Sequence, residues 1–168
     1  MLIGASTIAG SFTESIVKTM AKHVERPIIF PLSNPTWKAE AQPVDILKWT
    51  NGKALIGTGS PFPPVEYEGK TFHIGQCNNV YIFPGVGMGV IASEATKVTD
   101  EMFLMAAKKL SEYAPAIKDP YGSLFPKLSE LKAIAKDIAL ACGKLAIAKG
   151  YSSMSESEFE AALEARYW

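Results

Sequence analysis

PIIFPLSNPTWKAEAQPVDILKWTNGKALIGTG, residues 27–59, holds two apolar runs of strand length with one short helical pattern between them. PIIFPL (27–32) is apolar on both faces, as a strand buried in a parallel sheet must be. Pro43 suits the first turn of a helix, and Asn51-Gly52 supplies the left-handed residues that end one, so PVDILKW (43–49) reads as a short helix. ALIGTG (54–59) is the next strand. Upstream, LIGAS (2–6) is a third short apolar run. SFTE (11–14) has the form of a capping box, with Ser11 as N-cap and Glu14 reaching back, opening a helix to about His23. Strand, helix, strand, helix, strand in this order predicts a parallel sheet with right-handed crossovers. EYEGKTFHI (66–74) then reads as a hairpin turning at Glu68-Gly69, with His73 packed within it.

Beyond Gly85 the period changes. Ile91, Ala95, Val98, Met102, Met105 and Ala106 recur at steps of three and four, predicting one long helix to about Tyr113. Residues 114–126 carry Pro115, Pro120, Gly122 and Pro126 and read as a loop. Ser129 is expected to cap a helix that ends at Gly150, with Ile134, Ile138, Ala141, Cys142 and Leu145 on its apolar face. Ser155 and Glu158 form a second box, opening a last helix to Arg166. The domain reading is residues 1–113 as the C-terminal portion of a Rossmann-like domain and 114–168 as a helical extension. Three strands make about half of a doubly wound sheet, and no Gly-rich dinucleotide turn opens the chain. The expectation is therefore a piece of a larger protein, its N-terminal portion elsewhere.

Composition narrows the function. The chain has 168 residues, with 17 basic and 17 acidic side chains and no net charge. That balance lacks the basic footprint of a nucleic-acid binder, and no apolar run is long enough for a membrane span. Cys77 and Cys142 match no metal spacing and fit a reduced, cytoplasmic compartment with both thiols structural.

In an open parallel sheet, ligands sit beyond the carboxyl ends of the strands. Those positions carry Gly4-Ala5-Ser6, Ser33-Asn34-Pro35, Gly59-Ser60 and, after the hairpin, Gln76 to Asn79. Neutral amides there can donate to a carboxylate and accept from a hydroxyl without disturbing the charge balance. Asn34 has a second reading, as a helix cap with Pro35 at the first position. Asn78 and Asn79 can likewise close a turn before VYIF instead of facing a ligand. GVGMGV (85–90) lacks the last glycine and the acidic ribose reader of a dinucleotide fingerprint, and close packing at a helix start explains it better.

FPLSNPT (30–36) with AE (39–40), WTNGKALIGTGSPF (49–62) and IGQCNNVYIFPGVGMGVIASEATKVTDEM (74–102) resemble malic enzyme. The likeness is to its C-terminal half, and nearest to the bacterial NAD-linked type. LIGAS, FTE and the tail through EARYW are similar too. The resemblance implies oxidative decarboxylation of L-malate to pyruvate and CO2 with NAD and a divalent metal, Mg or Mn, and a homo-oligomer for the full-length enzyme. It implies Asn34, Asn78 and Asn79 as substrate-binding residues, and Gly4, Ala5, Ser6 and Asn34 along the cofactor. The family's general-acid tyrosine, general-base lysine, metal ligands and Gly-rich turn lie upstream of the matching segment. No catalytic residue or metal ligand is therefore expected here, and the isolated chain is expected to be inactive. A malolactic enzyme fragment and a non-catalytic NAD-binding module are the alternatives.

Overall fold

The computed structural model describes residues 1–166; Tyr167 and Trp168, the end of the family-like tail, lie outside the described residues. The chain forms two compact units, Met1–Asn78 with Ala114–Pro126, and Asn79–Tyr113 with Lys127–Trp168.

The first unit is built on four parallel strands: β1 (Leu2–Gly4), β2 (Ile28–Pro31), β3 (Leu55–Thr58) and, beyond the antiparallel hairpin of β4 (Val65–Tyr67) and β5 (Lys70–Phe72), the two-residue β6 (Gly75–Gln76). Their order across the sheet is β1-β2-β3-β6. Successive strands advance in one direction, as in one half of a doubly wound sheet. Helices α1 (Glu14–His23) and α2 (Pro43–Trp49) fill the crossovers. Val17, Ile29, Ile46, Leu47 and Ile56 bury the apolar core between helices and sheet. α2 starts on Pro43, and the left-handed pair Asn51 (φ 51°) and Gly52 (φ 71°) follows its cap. Glu68 (φ 49°) and Gly69 (φ 73°) turn the hairpin where the sequence places it. Residues 114–126 are a loop with one short 3-10 turn. It packs Phe125 6.0 Å from Phe30 and Tyr121 5.9 Å from Phe72, centroid to centroid, and so belongs to this unit.

Two local expectations change here. The cap of α1 is Thr13, whose hydroxyl accepts from Ile16 N–H, and not Ser11. Phe12 is drawn into the core, its N–H 3.0 Å from Glu40 O, and this delays the helix start. His73 is exposed just past β5 rather than packed, while its neighbour Phe72 takes the core position.

The second unit is helical: α3 (Phe83–Ala92), α4 (Asp100–Glu112), α5 (Leu131–Ala148) and α6 (Glu156–Arg166). The single long helix expected to reach Tyr113 is two helices. Glu94 stands at φ 53°, Ala95 N–H closes back on Val90 O at 3.0 Å, and the chain turns before α4. The glycines of GVGMGV are a packing seam. A Cβ on Gly85 would lie 2.6 Å from Ile138 Cβ, and one on Gly89 2.6 Å from Ala139 O, both on α5. Ser129 lies inside a 3-10 turn ahead of α5 and does not cap it; Glu130 Oε2 accepts from Lys127 N–H at 2.9 Å instead. The Ser155–Glu158 box forms as expected, with Ser155 N–H donating to Glu158 at 2.8 Å. Cys142 is buried with its Sγ 3.5 Å from Met102 O, and burial pushes its thiol up to about 11.

Candidate functional site

Parallel pairing sets the carboxyl ends of the four strands on one side of the first unit. Gly4 aligns with Pro31 and Thr58 with Gln76, and the chain beyond each strand turns away at that edge. Leu32 N–H continues the β1–β2 ladder to Gly4 O at 2.9 Å, and Cys77 N–H continues the next one to Thr58 O at 2.8 Å. The residues expected to bind ligand after β1, β2 and β3 thus come together.

The loops here are tied by side chains. Asn34 is exposed, and its Oδ1 accepts from the Ser60 hydroxyl. The carbonyl side of the amide is thereby engaged, and its NH2 side is left to donate. The turn after Pro35 has no side-chain cap, so the capping reading of Asn34 does not describe the structure. Gly59 allows the close approach, because a Cβ there would stand 2.0 Å from Leu32 O and 3.2 Å from Asn34 Nδ2. Gln76 Nε2 donates to Gly59 O at 3.0 Å and adds the fourth strand to the group.

Around β1 the space is already occupied. A Cβ on Gly4 would meet Glu40 Cγ and Cδ and Phe12 Cζ, each at 2.6 Å. Gly4 is buried, whereas Ala5 and Ser6 form the exposed part of the loop. Asn78 is half-buried at the end of the first unit, and Asn79 is exposed at the start of the second. Asn79 opens a 3-10 turn, Asn79–Tyr81, that leads towards α3, so the turn reading of that residue holds in the backbone.

The feature missed in the sequence is Glu40. It is 0% exposed and charged, placed between the buried Ala39 and Ala41. Its Oε1 accepts from Ser6 N–H at 2.7 Å, Ser6 hydroxyl at 2.9 Å and Ser33 hydroxyl at 2.5 Å, and its Oε2 from Ser33 N–H at 3.3 Å. Burial alone would raise the carboxyl. The Ser33 hydroxyl, the Ser6 N–H, its own backbone N–H and the Ser6 hydroxyl together outweigh that, holding it at about 2. The sequence marked it only as part of the family-like AE (39–40), an acidic residue flanked by alanines ahead of α2, with no sign of its partners.

Among the described residues, no three His, Cys, Asp or Glu side chains come together to hold a metal ion. The exposed groups at this edge are neutral hydroxyls and amides, and the one carboxylate, Glu40, is buried and taken up by Ser6 and Ser33, a poor set for Mg or Mn. The hydroxyls and amides do suit the carboxamide and hydroxyl groups of a dinucleotide. Nor is any helix among them long and apolar enough to cross a membrane.

A half-sheet of parallel strands with helical crossovers and a polar edge at the strands' carboxyl ends defines a Rossmann-like, dinucleotide-binding class of domain. The family model described as "Malic enzyme, NAD binding domain" matches residues 1–147. An NAD-dependent malic enzyme of Aeromonas salmonicida is 51% identical over 169 residues, covering 100% of this chain and 30% of that protein. Among solved structures, malic enzyme of Entamoeba histolytica superposes with a TM-score of 0.68 at 24% identity, over 93% of this chain and 31% of that one. Malic enzyme of Pyrococcus horikoshii gives 0.67 at 23%, over 93% and 33%. At these identities the two structures speak for the fold. The chain belongs to the malic enzyme NAD-binding domain family, and it spans about 30% of the length of the curated relatives it matches.

Proposed function

We propose that these residues are the C-terminal part of a bacterial-type, cytoplasmic NAD-dependent malic enzyme, which oxidatively decarboxylates L-malate to pyruvate and CO2. Bound NAD supplies the hydride acceptor. This chain's part is to bind and orient. The Asn34 NH2 donates to malate beside the nicotinamide, Asn78 and Asn79 hold a malate carboxylate, and the loop of Gly4, Ala5 and Ser6 lies along the cofactor. Residues 1–113 serve as the C-terminal portion of the cofactor domain and 114–168 as a helical extension, a division of role separate from the packing units. The acid, base and Mg or Mn ligands lie outside this chain, and the longer polypeptide works as a homo-oligomer.

The observation carrying this reading is the Asn34 amide, with Oδ1 fixed by Ser60 at the carboxyl edge of the sheet. An oriented neutral donor is what a carboxylate ligand needs in a closing site. Asn34→Ser in the longer polypeptide tests it, since no helix cap is lost with the side chain. A hydrogen bond to a charged group is worth about 1.5–3 kcal/mol, so kcat/KM for malate is expected to fall roughly 10- to 150-fold at an unchanged melting temperature. Full activity in a stable Asn34→Ser variant would remove Asn34 from the site.

A further inference from the structure

We propose that Glu40 is a positioning residue for this site: its buried carboxylate ties the loops after β1 and β2 together and, through Ser33, sets where the Asn34 carboxamide stands. The inference rests on the reading of Asn34 given above.

The geometry forms a continuous path across three strand ends. Ser6, after β1, gives Glu40 both its N–H and its hydroxyl, and Ser33, after β2, does the same. The two loops are then cross-linked again, because Ser33 Oγ accepts from Thr7 N–H at 2.8 Å. Ser6 Oγ accepts in turn from Ile8 N–H at 3.2 Å. These bonds hold Thr7 at φ 58°, a left-handed conformation that a β-branched residue adopts only when its surroundings enforce it. Ser33 is bonded directly to Asn34, and Asn34 is held by Ser60 from the loop after β3. One carboxylate therefore organises a run of hydroxyls and amides from Ser6 to Ser60. The fold reserves room for it: any side chain at Gly4 would take the volume of Glu40 Cγ and Cδ.

Charge is what makes Glu40 suited to this. A carboxylate accepts at both oxygens and from several donors at once, whereas an amide presents one oxygen and a competing donor. Glu40→Gln keeps the volume and breaks the arrangement. Ser33→Ala removes the strongest tie to the second loop while Ser6 still satisfies the carboxylate, so it is the milder variant.

The test compares Glu40→Gln, Ser33→Ala and their combination with Asn34→Ser, all in the longer polypeptide, by kcat and KM for malate per folded molecule and by melting temperature. Glu40→Gln is expected to lose kcat/KM roughly 10- to 100-fold with a raised KM, the size of effect that a small misplacement of a binding group produces. Adding Glu40→Gln or Ser33→Ala to Asn34→Ser should cost no more kcat/KM than Asn34→Ser alone, because both changes act through the Asn34 amide. Should Glu40→Gln fail to fold, Ser33→Ala decides, with a raised KM expected. Unchanged kinetics in folded Ser33→Ala and Glu40→Gln, with only the melting temperature lowered, would overturn the inference and leave Glu40 a structural residue. Asn34→Ser separates the two readings. If it is impaired while Ser33→Ala is not, positioning by Glu40 fails alone; if it is fully active, the reading of Asn34 fails and takes this inference with it.

Discussion

At the scale of single residues, the carboxylate of Glu40 links the site to stability. Its folded carboxyl is depressed to about 2 from an ordinary 4.5, so its stabilisation is complete above pH 4.5 and is lost as pH falls through 2. A displacement of that size corresponds to about 3 kcal/mol, of which about 2 kcal/mol is gone by pH 3. Other carboxylates titrate in the same range, and Glu40→Gln subtracts them. The gap in unfolding free energy between the 168-residue chain and its Glu40→Gln variant, measured in urea, should narrow from pH 7 to pH 3. A gap that stays constant with pH would mean that Glu40 is not an ionised acceptor. At the strand ends, the position of Asn34 was legible because small and polar residues there are conspicuous. Glu40 was not, because a carboxylate beside alanines resembles any solvated charge until two serines from distant loops are seen to enclose it.

The elements were legible wherever the local signal and the tertiary packing agree. Pro43 starts α2, Glu68-Gly69 turns the hairpin, and Ser155 with Glu158 opens α6, each by chemistry contained within a few residues. Where packing overrides the local signal, the expectations shifted. Burial of Phe12 moves the cap from Ser11 to Thr13, and β6 is too short, at two residues, to leave a periodic pattern. The break between α3 and α4 is the clearest case. Apolar residues keep helical spacing straight through it, although Ile91 is 63% and Val98 51% exposed. Glu94 ends α3 in the left-handed conformation that glycine adopts without a Cβ penalty. Glu94→Gly is therefore expected to stabilise the chain by about 0.5–1 kcal/mol in urea denaturation. A loss of stability instead would mean that the side chain itself supports the turn.

On the scale of the whole molecule, one half of a doubly wound sheet and a helical unit make up about 30% of a family enzyme's length. The strand-end loops carry hydroxyls and amides around the enclosed Glu40 carboxylate, and among the described residues no three metal-ligating side chains gather in one place. On the proposed reading the acid, base and metal ligands lie outside these residues, and each such group is worth orders of magnitude in rate. The most direct measurement is product formation from L-malate, NAD and Mn2+ by the longer polypeptide, beside the purified 168-residue chain. Equal amounts of NADH and pyruvate are expected from the longer polypeptide, and no turnover from the chain alone. Lactate formed without NADH, or turnover by the 168 residues at ordinary enzyme rates of about 1 to 1000 per second, would contradict it.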